Sequence, residues 1–290
     1  MAAKIIDGKV IAEKINRQLG ERVAVLKNRG VSPCLGVIIA GDNPASLSYV
    51  RGKKKALAAL GMEGRDIMLP SNTSRDELIE VIASLNKDNS IHGILVQQPL
   101  PSHINEEEII NAIDPKKDVD CFHPVNLGKL MQGQKAFMPC TPQGIILLLQ
   151  EEKIPIAGSN IVIVGRSNIV GKPLALLLIR KENNATVTIC HTGSRNLGEH
   201  TCKADILIAA AGSAGLIKGD MIKEGAVVID VGVNRVTDST AKKGYRLKGD
   251  VEFDEAVEKA SYITPVPGGV GPMTIAMLIN NVLEAAEQNA

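Results

Sequence analysis

The segment at residues 160–173, NIVIVGRSNIVGKP, constrains the fold of this chain more than any other. Four consecutive apolar residues, 161–164, predict a strand buried on both faces. Gly165 ends this strand, and a short polar turn leads to Gly171, Pro173 and an apolar helix. Unpaired N–H groups at a helix start carry partial positive charge, and glycine lets a diphosphate approach the backbone. The segment therefore predicts a dinucleotide site, although its spacing is looser than GxGxxG and an ordinary buried strand–helix unit also fits it.

Apolar runs and helical patterns alternate over most of the chain. Strands are predicted at CLGVIIAG, RDIMLP and IHGILVQQPLP in the first half, and at NIVIVG, ATVTICH, ADILIAAAG and GAVVIDVG in the second. Helices are predicted at residues 9–29, 46–60, 74–88, 143–152 and 272–288. Ser74 and Glu77 should form a capping box on the third helix. This alternation is typical of an α/β protein whose parallel sheets are covered by helices.

The length of 290 residues suits two domains or one large α/β domain. The pattern breaks up at residues 106–142, and a long irregular stretch predicts a functional segment or a junction. The four strands beyond it resemble half of a doubly wound dinucleotide fold. We therefore predict one α/β domain of residues 1–142 plus 272–290 and a Rossmann-like dinucleotide-binding domain of residues 143–271.

Composition argues against several classes of function. A net charge of +1 gives no reason to expect nucleic acid or a membrane as a partner, and an aromatic content of 2% argues against base stacking. The five cysteines never occur as C-x-x-C, and the grouping of Cys190 and His191 with His200 and Cys202 is interpreted as accidental, so no metal site is predicted. Reduced cysteines, a charged N-terminus and the lack of an apolar run of about 18 residues predict a cytoplasmic protein.

Tyr49 and Lys53 are four residues apart on a predicted helix and therefore share one face. That helix follows a buried strand, where α/β proteins place ligands. Lys54 and Lys55 adjoin Lys53, and on spacing alone a lysine run is more typical of a solvated surface. A catalytic role for Lys53 requires that Tyr49 hold it in a cleft.

Three further side chains are candidates for binding a ligand. Asp118 and Asp120 are expected on one side of an extended segment, where a carboxylate could grip an amidine-like edge of a ring or could cap the next turn. Gln97 closes an apolar strand at its carboxyl end and could hold a substrate oxygen or satisfy loop backbone. The glycines of PVPGGVGP could admit a ligand to the backbone or could turn the chain.

The second strand of the dinucleotide domain indicates which cofactor binds. An acid after this strand selects NAD by bonding the ribose hydroxyls. Here TVTIC is followed by HTGSR at residues 191–195, which holds no acid, and Arg166 and Arg195 offer positive charge. The sequence therefore favours NADP.

Six motifs together resemble the bifunctional methylenetetrahydrofolate dehydrogenase/cyclohydrolase family. They are YVRGKK at 49, VQQPLP at 96, KDVDCFHP at 117, PCTPQG at 139, GRSNIVGKP at 165 and TPVPGGVGPMT at 264. They cover nearly the whole chain in the family's order. The resemblance implies a two-domain α/β subunit with a cleft between the domains that binds tetrahydrofolate derivatives, and it implies a homodimer that serves purine biosynthesis.

The resemblance also implies roles for particular residues. Lys53 would be catalytic with Tyr49 and Gln97 as its partners, and these three would bind substrate together with Asp120, Pro267 and Gly268. NADP would be bound by Gly165, Arg166, Ser167, Thr192 and Val233. Cys121 is a departure, because the family usually has glycine there and cysteine tolerates fewer backbone conformations.

The activity implied is the NADP-dependent oxidation of methylenetetrahydrofolate, followed by hydrolysis of the methenyl product to formyltetrahydrofolate. Hydride transfer depends mainly on geometry, whereas hydrolysis needs proton transfers, for which Lys53 is suited. One rival is another NADP-dependent dehydrogenase on the same architecture, such as an amino-acid or shikimate-type enzyme. Another is a non-catalytic dinucleotide sensor, which would be expected to carry an appended effector segment.

Overall fold

The structure, a computed structural model, describes residues 2–241 and 244–289, apart from the side chains of residues 44, 45 and 48. The chain forms two compact units. The three-stranded unit comprises Lys14–Cys140 and Ile275–Ala290, and the six-stranded unit comprises Met1–Glu13 and Thr141–Thr274. Both sheets are parallel, which confirms the predicted α/β class.

The three-stranded unit is built on a sheet with the order β3-β2-β4. Its strands are β2 (Cys34–Ala40), β3 (Glu63–Leu69) and β4 (Gly93–Val96). Its helices are α2 (Pro44–Ala59), α3 (Arg75–Lys87), α4 (Glu106–Ala112), α5 (Pro124–Met131) and most of α1 (Gly8–Asn28) and α10 (Val270–Glu287). The central strand β2 is buried along its whole length, as its apolar run predicts. The predicted capping box is present on α3, where Ser74 and Glu77 bond each other's backbone.

The six-stranded unit has the strand order β1-β11-β8-β7-β5-β6. Its strands are β1 (Lys4–Ile5), β5 (Asn160–Val164), β6 (Thr186–Cys190), β7 (Ile206–Ala209), β8 (Val227–Asp230) and β11 (Tyr262–Ile263). Its helices are α6 (Cys140–Glu151), α7 (Gly171–Leu178), α8 (Leu197–Thr201) and α9 (Phe253–Ala256), and β9 (Asn234–Thr237) pairs with β10 (Tyr245–Lys248) in an antiparallel hairpin. The order along the sheet reverses at β5, and doubly wound sheets bind ligands at that point.

The boundary between the units differs from the predicted one at the N-terminus. The sequence predicts one domain of residues 1–142 plus 272–290, whereas residues 1–13 group with the six-stranded unit in the structure. The reason is that β1 adds to this sheet beside β11, with Lys4 opposite Tyr262 and Ile5 opposite Ile263. A strand of two residues has no periodic pattern that a sequence analysis could detect.

The prediction of an irregular stretch at residues 106–142 was wrong in part, because α4 and α5 both lie within it. Each helix is short and is fixed by its N-terminal cap. The Asn105 side chain accepts a hydrogen bond from the Glu107 N–H, and His123 accepts one from the Val125 N–H, with Pro124 at the first helical position. Among the residues that the structure describes, none of the helices has the length and hydrophobicity of a membrane span.

Candidate active site

Lys53 and Gln97 meet at the carboxyl end of the three-stranded sheet. Gln97 follows β4, and its backbone N–H still donates to the Ile38 carbonyl of β2, so the sheet fixes its position. Lys53 lies on α2, and its Nζ donates to Gln97 Oε1 over 3.1 Å. The Gln97 Nε2 donates to the Gln98 carbonyl over 2.7 Å, which orients the amide with its oxygen toward the lysine. A strand end and a helix thus hold an amine and an amide in one fixed arrangement.

The lysine run on α2 divides into one half-buried residue and two surface residues. Lys54 is exposed and forms an ion pair with Asp66 at 2.7 Å, and Lys55 is exposed as well. Lys53 is half-buried, which separates it from the solvated surface that its neighbours form. Tyr49 lies one turn before Lys53 on the same helix face and is 52% exposed, so its ring is open to a ligand.

Asp118 and Asp120 have different surroundings. The expectation of an extended segment at Asp118–Asp120 was wrong, because the chain turns there and the Cys121 N–H donates back to the Asp118 carbonyl. The Asp118 carboxylate is buried and accepts from Phe122 N at 3.2 Å, His123 N at 2.9 Å and Asn126 Nδ2 at 2.9 Å. Asp118 therefore caps the turn before α5 and has little capacity left for a ligand.

Asp120 keeps its carboxylate close to Lys53. Burial raises the pKa of the Asp120 carboxyl, the positive charge of Lys53 opposes this rise, and the charge of Asp118 adds to it. Among the residues that the structure describes, the Cys140 thiol is the hydrogen-bond donor to Asp120 Oδ1, at 3.6 Å. The carboxylate therefore retains lone pairs for a ligand.

The backbone beside Asp120 is held by residues that the sequence analysis did not single out. Asn281 on α10 is buried, and its Nδ2 donates to the Val119 carbonyl at 2.7 Å and the Met138 carbonyl at 2.8 Å. Cys140 packs beside it, with its Sγ 3.4 Å from the Val119 oxygen. The sequence feature that could have identified Asn281 is its amide among the apolar residues of the last helix.

Cys121 has a backbone φ of +61°, the left-handed region that glycine adopts without strain. This conformation explains why glycine suits the position, and it shows that the chain follows the glycine-type path with a cysteine in place. The side chain is buried.

The strand–turn–helix segment of the sequence analysis borders a cavity of about 440 Å³ in the six-stranded unit. Gly165, Arg166 and Ser167 line it where β5 ends. A Cβ on Gly165, whose φ is +137°, would overlap the Ala210 carbonyl oxygen, and a Cβ on Gly171 would overlap the carbonyl oxygen of Gly165. Glycine is therefore required at both positions for β5, the loop after β7 and the start of α7 to approach this closely.

The end of β6 forms another wall of this cavity, which we call the β5–β6 cavity. His191, Thr192 and Ser194 line it, and the Ser194 hydroxyl accepts from the His191 N–H at 2.9 Å. Among the described residues that line the cavity, none carries a carboxylate, and Arg166 is exposed at its edge. A dinucleotide with a phosphorylated ribose fits this lining better than one whose hydroxyls need an acid.

The remaining predicted residues also lie in the six-stranded unit. Val233 is 45% exposed and lies between β8 and β9. Pro267 is exposed and Gly268 is buried, with φ of +116°, in the turn before α10. This positive φ favours glycine where the chain turns into α10. Within residues 2–241 and 244–289, no group of three or more His, Cys, Asp or Glu side chains is placed to hold a metal ion.

Two family models match nearly all of the chain. The catalytic-domain model of tetrahydrofolate dehydrogenase/cyclohydrolase matches residues 6–120, and the NAD(P)-binding-domain model of the same family matches residues 139–290. The Bifunctional protein FolD of Bacillus subtilis is 54% identical over 288 residues, which cover 99% of both chains. The Bifunctional protein FolD of Bacillus pumilus is also 54% identical, with the same coverage.

Solved structures show the same similarity. A FolD methylenetetrahydrofolate dehydrogenase/cyclohydrolase from Campylobacter jejuni is 46% identical, with a TM-score of 0.94 over 100% of both chains. The enzyme from Trypanosoma brucei, described as complexed with NADP cofactor and inhibitor, is 41% identical, with a TM-score of 0.95 over 99% of this chain and 98% of its own. A shikimate dehydrogenase from Aquifex aeolicus is 16% identical, with a TM-score of 0.51 over 90% of this chain and 97% of its own, and shares the fold alone.

Proposed function

The chain belongs to the tetrahydrofolate dehydrogenase/cyclohydrolase family, and from this premise we propose how its residues divide the family's two reactions between the two units. The enzyme oxidises methylenetetrahydrofolate with NADP⁺ and hydrolyses the methenyl product to formyltetrahydrofolate. The three-stranded unit binds the folate and the six-stranded unit binds NADP. The observation that carries this assignment is the cluster of Lys53, Gln97 and Asp120, in which an amine, an amide and a carboxylate converge at a sheet edge.

Asp120 holds the pterin ring in this proposal. The amidine-like edge of a pterin presents two N–H donors, which a carboxylate can accept together. Support comes from the contrast with Asp118, whose oxygens are taken by backbone and amide donors, whereas Asp120 receives one weak donor from Cys140. The exposed ring of Tyr49 covers the bound substrate from the helix face it shares with Lys53.

Lys53 moves the protons of the hydrolytic step. Water adds to the electrophilic methenyl carbon and loses both of its protons as the formyl carbonyl forms. One proton passes by way of the Lys53 Nζ to the ring nitrogen whose bond to that carbon breaks as the five-membered ring opens, and the other is released to solvent as the positive charge of the methenyl group is lost. Gln97 accepts a hydrogen bond from Nζ and so orients the amine toward the reacting carbon. The Asp120 charge beside Lys53 balances the positive charge that the site holds during this transfer.

The β5–β6 cavity is the NADP site in this proposal. Bound NADP⁺ supplies the acceptor for the hydride that leaves the one-carbon bridge. Gly165, Arg166, Ser167 and Thr192 line the cavity; the first three would hold phosphates of the cofactor and Thr192 would contact the 2′-phosphate. Val233 would contact the nicotinamide end, as the resemblance implies. The residues fit this cofactor because Gly165, Arg166 and Ser167 line the cavity at the turn before α7, where Arg166 offers positive charge to a phosphate.

The oligomeric state, the cellular compartment and the metabolic role are inferred from the resemblance of the six motifs to the family. We propose that the enzyme acts as a homodimer in the cytoplasm and that its formyltetrahydrofolate serves purine biosynthesis.

One spectroscopic assay that follows NADPH and methenyltetrahydrofolate together tests the function. NADP⁺ should be preferred over NAD⁺, and methenyltetrahydrofolate should form and then decay as hydrolysis proceeds. Arg166→Ala should erode the preference, because we propose that the Arg166 guanidinium contacts the 2′-phosphate that NAD⁺ lacks, and losing one charge-assisted contact to a phosphate costs roughly 1.5–3 kcal/mol of binding. Equal catalytic efficiency with both cofactors in the unmodified enzyme would refute the assignment of the phosphate contacts.

A further inference from the structure

Two buried carboxylates of the six-stranded unit take no part in the chemistry above. Asp230 is the last residue of β8 and is 4% exposed, and Asp250 follows β10 and is 0% exposed. Buried aspartates are uncommon, and each needs several hydrogen-bond donors to offset the loss of water.

The Asp250 carboxylate accepts hydrogen bonds from the loop after β7 and from the start of β9. Its Oδ2 accepts from Ala211 N at 2.7 Å and Gly212 N at 2.9 Å, and its Oδ1 accepts from Ser213 N at 2.9 Å. The Asn234 Nδ2 also donates to Oδ1 at 2.8 Å. Three successive backbone N–H groups of the loop after β7 therefore donate to one carboxylate, and the first residue of β9, which directly follows the loop after β8, donates to the same carboxylate.

This loop forms part of the β5–β6 cavity. Ala211 and Ser213 line the cavity, and Asn234 directly follows Val233. Asp250 does not line the cavity itself. Its carboxylate bonds Ala211 and Ser213, which do line the cavity and would contact the cofactor.

Asp230 fixes Asp250 in turn. Its Oδ1 accepts from Asp250 N at 2.9 Å and Gly232 N at 3.0 Å, and its Oδ2 accepts from Val251 N at 3.0 Å. A Cβ on Gly232 would overlap the Asp250 carboxylate, and a Cβ on Gly249 would overlap the Asp230 carboxylate. Both glycines are thus needed for the chain to pack this closely around the two acids.

We propose that Asp250 is a positioning residue of the cofactor site, whose carboxylate holds the 211–213 loop in the shape that NADP binds. The inference rests on the proposed function, which assigns the cavity to NADP. Charge-assisted bonds fix the loop before the cofactor arrives, so less ordering free energy is lost on binding. A neutral amide at this position presents an NH₂ group to some of these donors and leaves the loop without its anchor.

Asp250→Asn tests this role through the difference between the two reactions. Dehydrogenation needs NADP⁺, whereas hydrolysis of supplied methenyltetrahydrofolate does not. We expect the NADP⁺ dissociation constant, measured by calorimetry, to rise at least about tenfold, because the binding wall is no longer preorganised. The hydrolytic kcat/KM should stay within about twofold of the unmodified value, since the proposed proton-transfer group Lys53 and its partners Gln97 and Asp120 lie in the three-stranded unit.

Asp205→Asn is the matched control. Asp205 precedes β7 at the opposite end of the strand, accepts from Asn160 N and Lys223 Nζ, and does not line the cavity. Asp205→Asn should therefore leave the NADP⁺ dissociation constant unchanged. Asn234→Ala removes one hydrogen-bond donor to Asp250 and keeps the carboxylate, so it should raise the NADP⁺ dissociation constant about threefold. If Asp250→Asn does not fold, this variant tests the positioning role in its place.

Arg166→Ala separates failure of this inference from failure of the proposed site. If Arg166→Ala weakens NADP⁺ binding while folded Asp250→Asn, or Asn234→Ala in its place, binds NADP⁺ normally, the positioning role is refuted and the site stands. If no variant affects NADP⁺ binding, the cavity is not the cofactor site. A parallel loss of hydrolysis in Asp250→Asn would overturn the inference by showing a general structural role.

Discussion

At the scale of single residues, the surroundings of Asp118 and Asp120 decide their roles. The sequence placed both in one motif and left two uses open, a ring contact and a turn cap. The structure assigns the cap to Asp118, through three donors, and leaves Asp120 beside Lys53. Spacing could not make this distinction, because the turn at Cys121, with its φ of +61°, changes the direction of the chain between them and the following helix.

Asp120→Ala and Asp118→Ala should therefore fail in different ways. Asp120→Ala should raise the KM for the folate in both reactions and leave NADP⁺ affinity nearly intact, because it removes a substrate contact. Asp118→Ala should lower the free energy of unfolding by at least about 2 kcal/mol, because it leaves buried donors without an acceptor. Steady-state kinetics and urea unfolding separate the two outcomes, and equal, mild effects on the KM would disprove the pterin contact.

Asp230 gives a prediction for the pH dependence of stability. Burial is the largest effect on its pKa and raises it from 3.8 to about 6, against the backbone N–H bonds that lower it. A raised pKa means that the folded state binds the proton more tightly, so this contribution to stability is fully present below about pH 4 and is lost as pH rises through about 6. The change amounts to about 3 kcal/mol at 1.36 kcal/mol per pKa unit.

The measurement is the difference in unfolding free energy between the unmodified protein and Asp230→Asn, followed from pH 4 to pH 7. Asparagine does not titrate, so the advantage of the unmodified protein should shrink as the pH rises. An advantage that grows with pH would contradict this prediction. It would mean that the N–H donors of Gly232, Asp250 and Val251 lower the pKa of Asp230 by more than burial raises it.

At the scale of elements, the sequence predicted those with a long or strongly patterned signal. The buried run of β2, the run of β5 and the capping box of α3 all predicted the observed elements. The strands β1 and β11 have two residues each, and pairing with their neighbours defines them. The sequence did not predict the short helices α4 and α5 or the strands β9 and β10. None of these elements is longer than eight residues, and none shows a clear hydrophobic periodicity.

The turn between β5 and α7 is the element on which the cofactor site depends. Gly165→Ala places a methyl group against the Ala210 carbonyl oxygen at a backbone φ of +137°, so the turn must shift. We expect NADP⁺ affinity to fall by at least about tenfold, together with a loss of stability of about 1–3 kcal/mol. Calorimetric titration and thermal unfolding measure these effects.

Gly198→Ala is the control for this substitution. Gly198 lies in α8, and a Cβ there would come no closer than 3.8 Å to the Met221 Cγ. Alanine should be neutral or slightly stabilising in this helix. NADP⁺ binding by Gly165→Ala equal to that of Gly198→Ala would contradict the placement of the cofactor at this turn.

At the scale of the whole molecule, we propose that the three-stranded unit carries the proton transfers and that the six-stranded unit binds the cofactor. The Lys53–Gln97 pair and Asp120 belong to the first, and the β5–β6 cavity belongs to the second. The order of strands and the motif positions allowed this division to be predicted. The support that Asn281 gives to the backbone beside Asp120, and that Asp250 gives to the cavity loop, could not be predicted, because it depends on contacts between residues far apart in sequence. The two activities should therefore be separable by substitution.

Lys53→Met tests this central claim most directly, because methionine keeps an apolar stem of similar length and removes the amine. Hydrolysis of methenyltetrahydrofolate should fall by at least about 10²-fold, the scale of a lost acid–base group, while NADP⁺-dependent oxidation survives in part and methenyltetrahydrofolate accumulates. Lys54→Met, at the exposed partner of Asp66, should change neither rate. Hydrolysis at the original rate in Lys53→Met would contradict the account, since water would then be activated elsewhere.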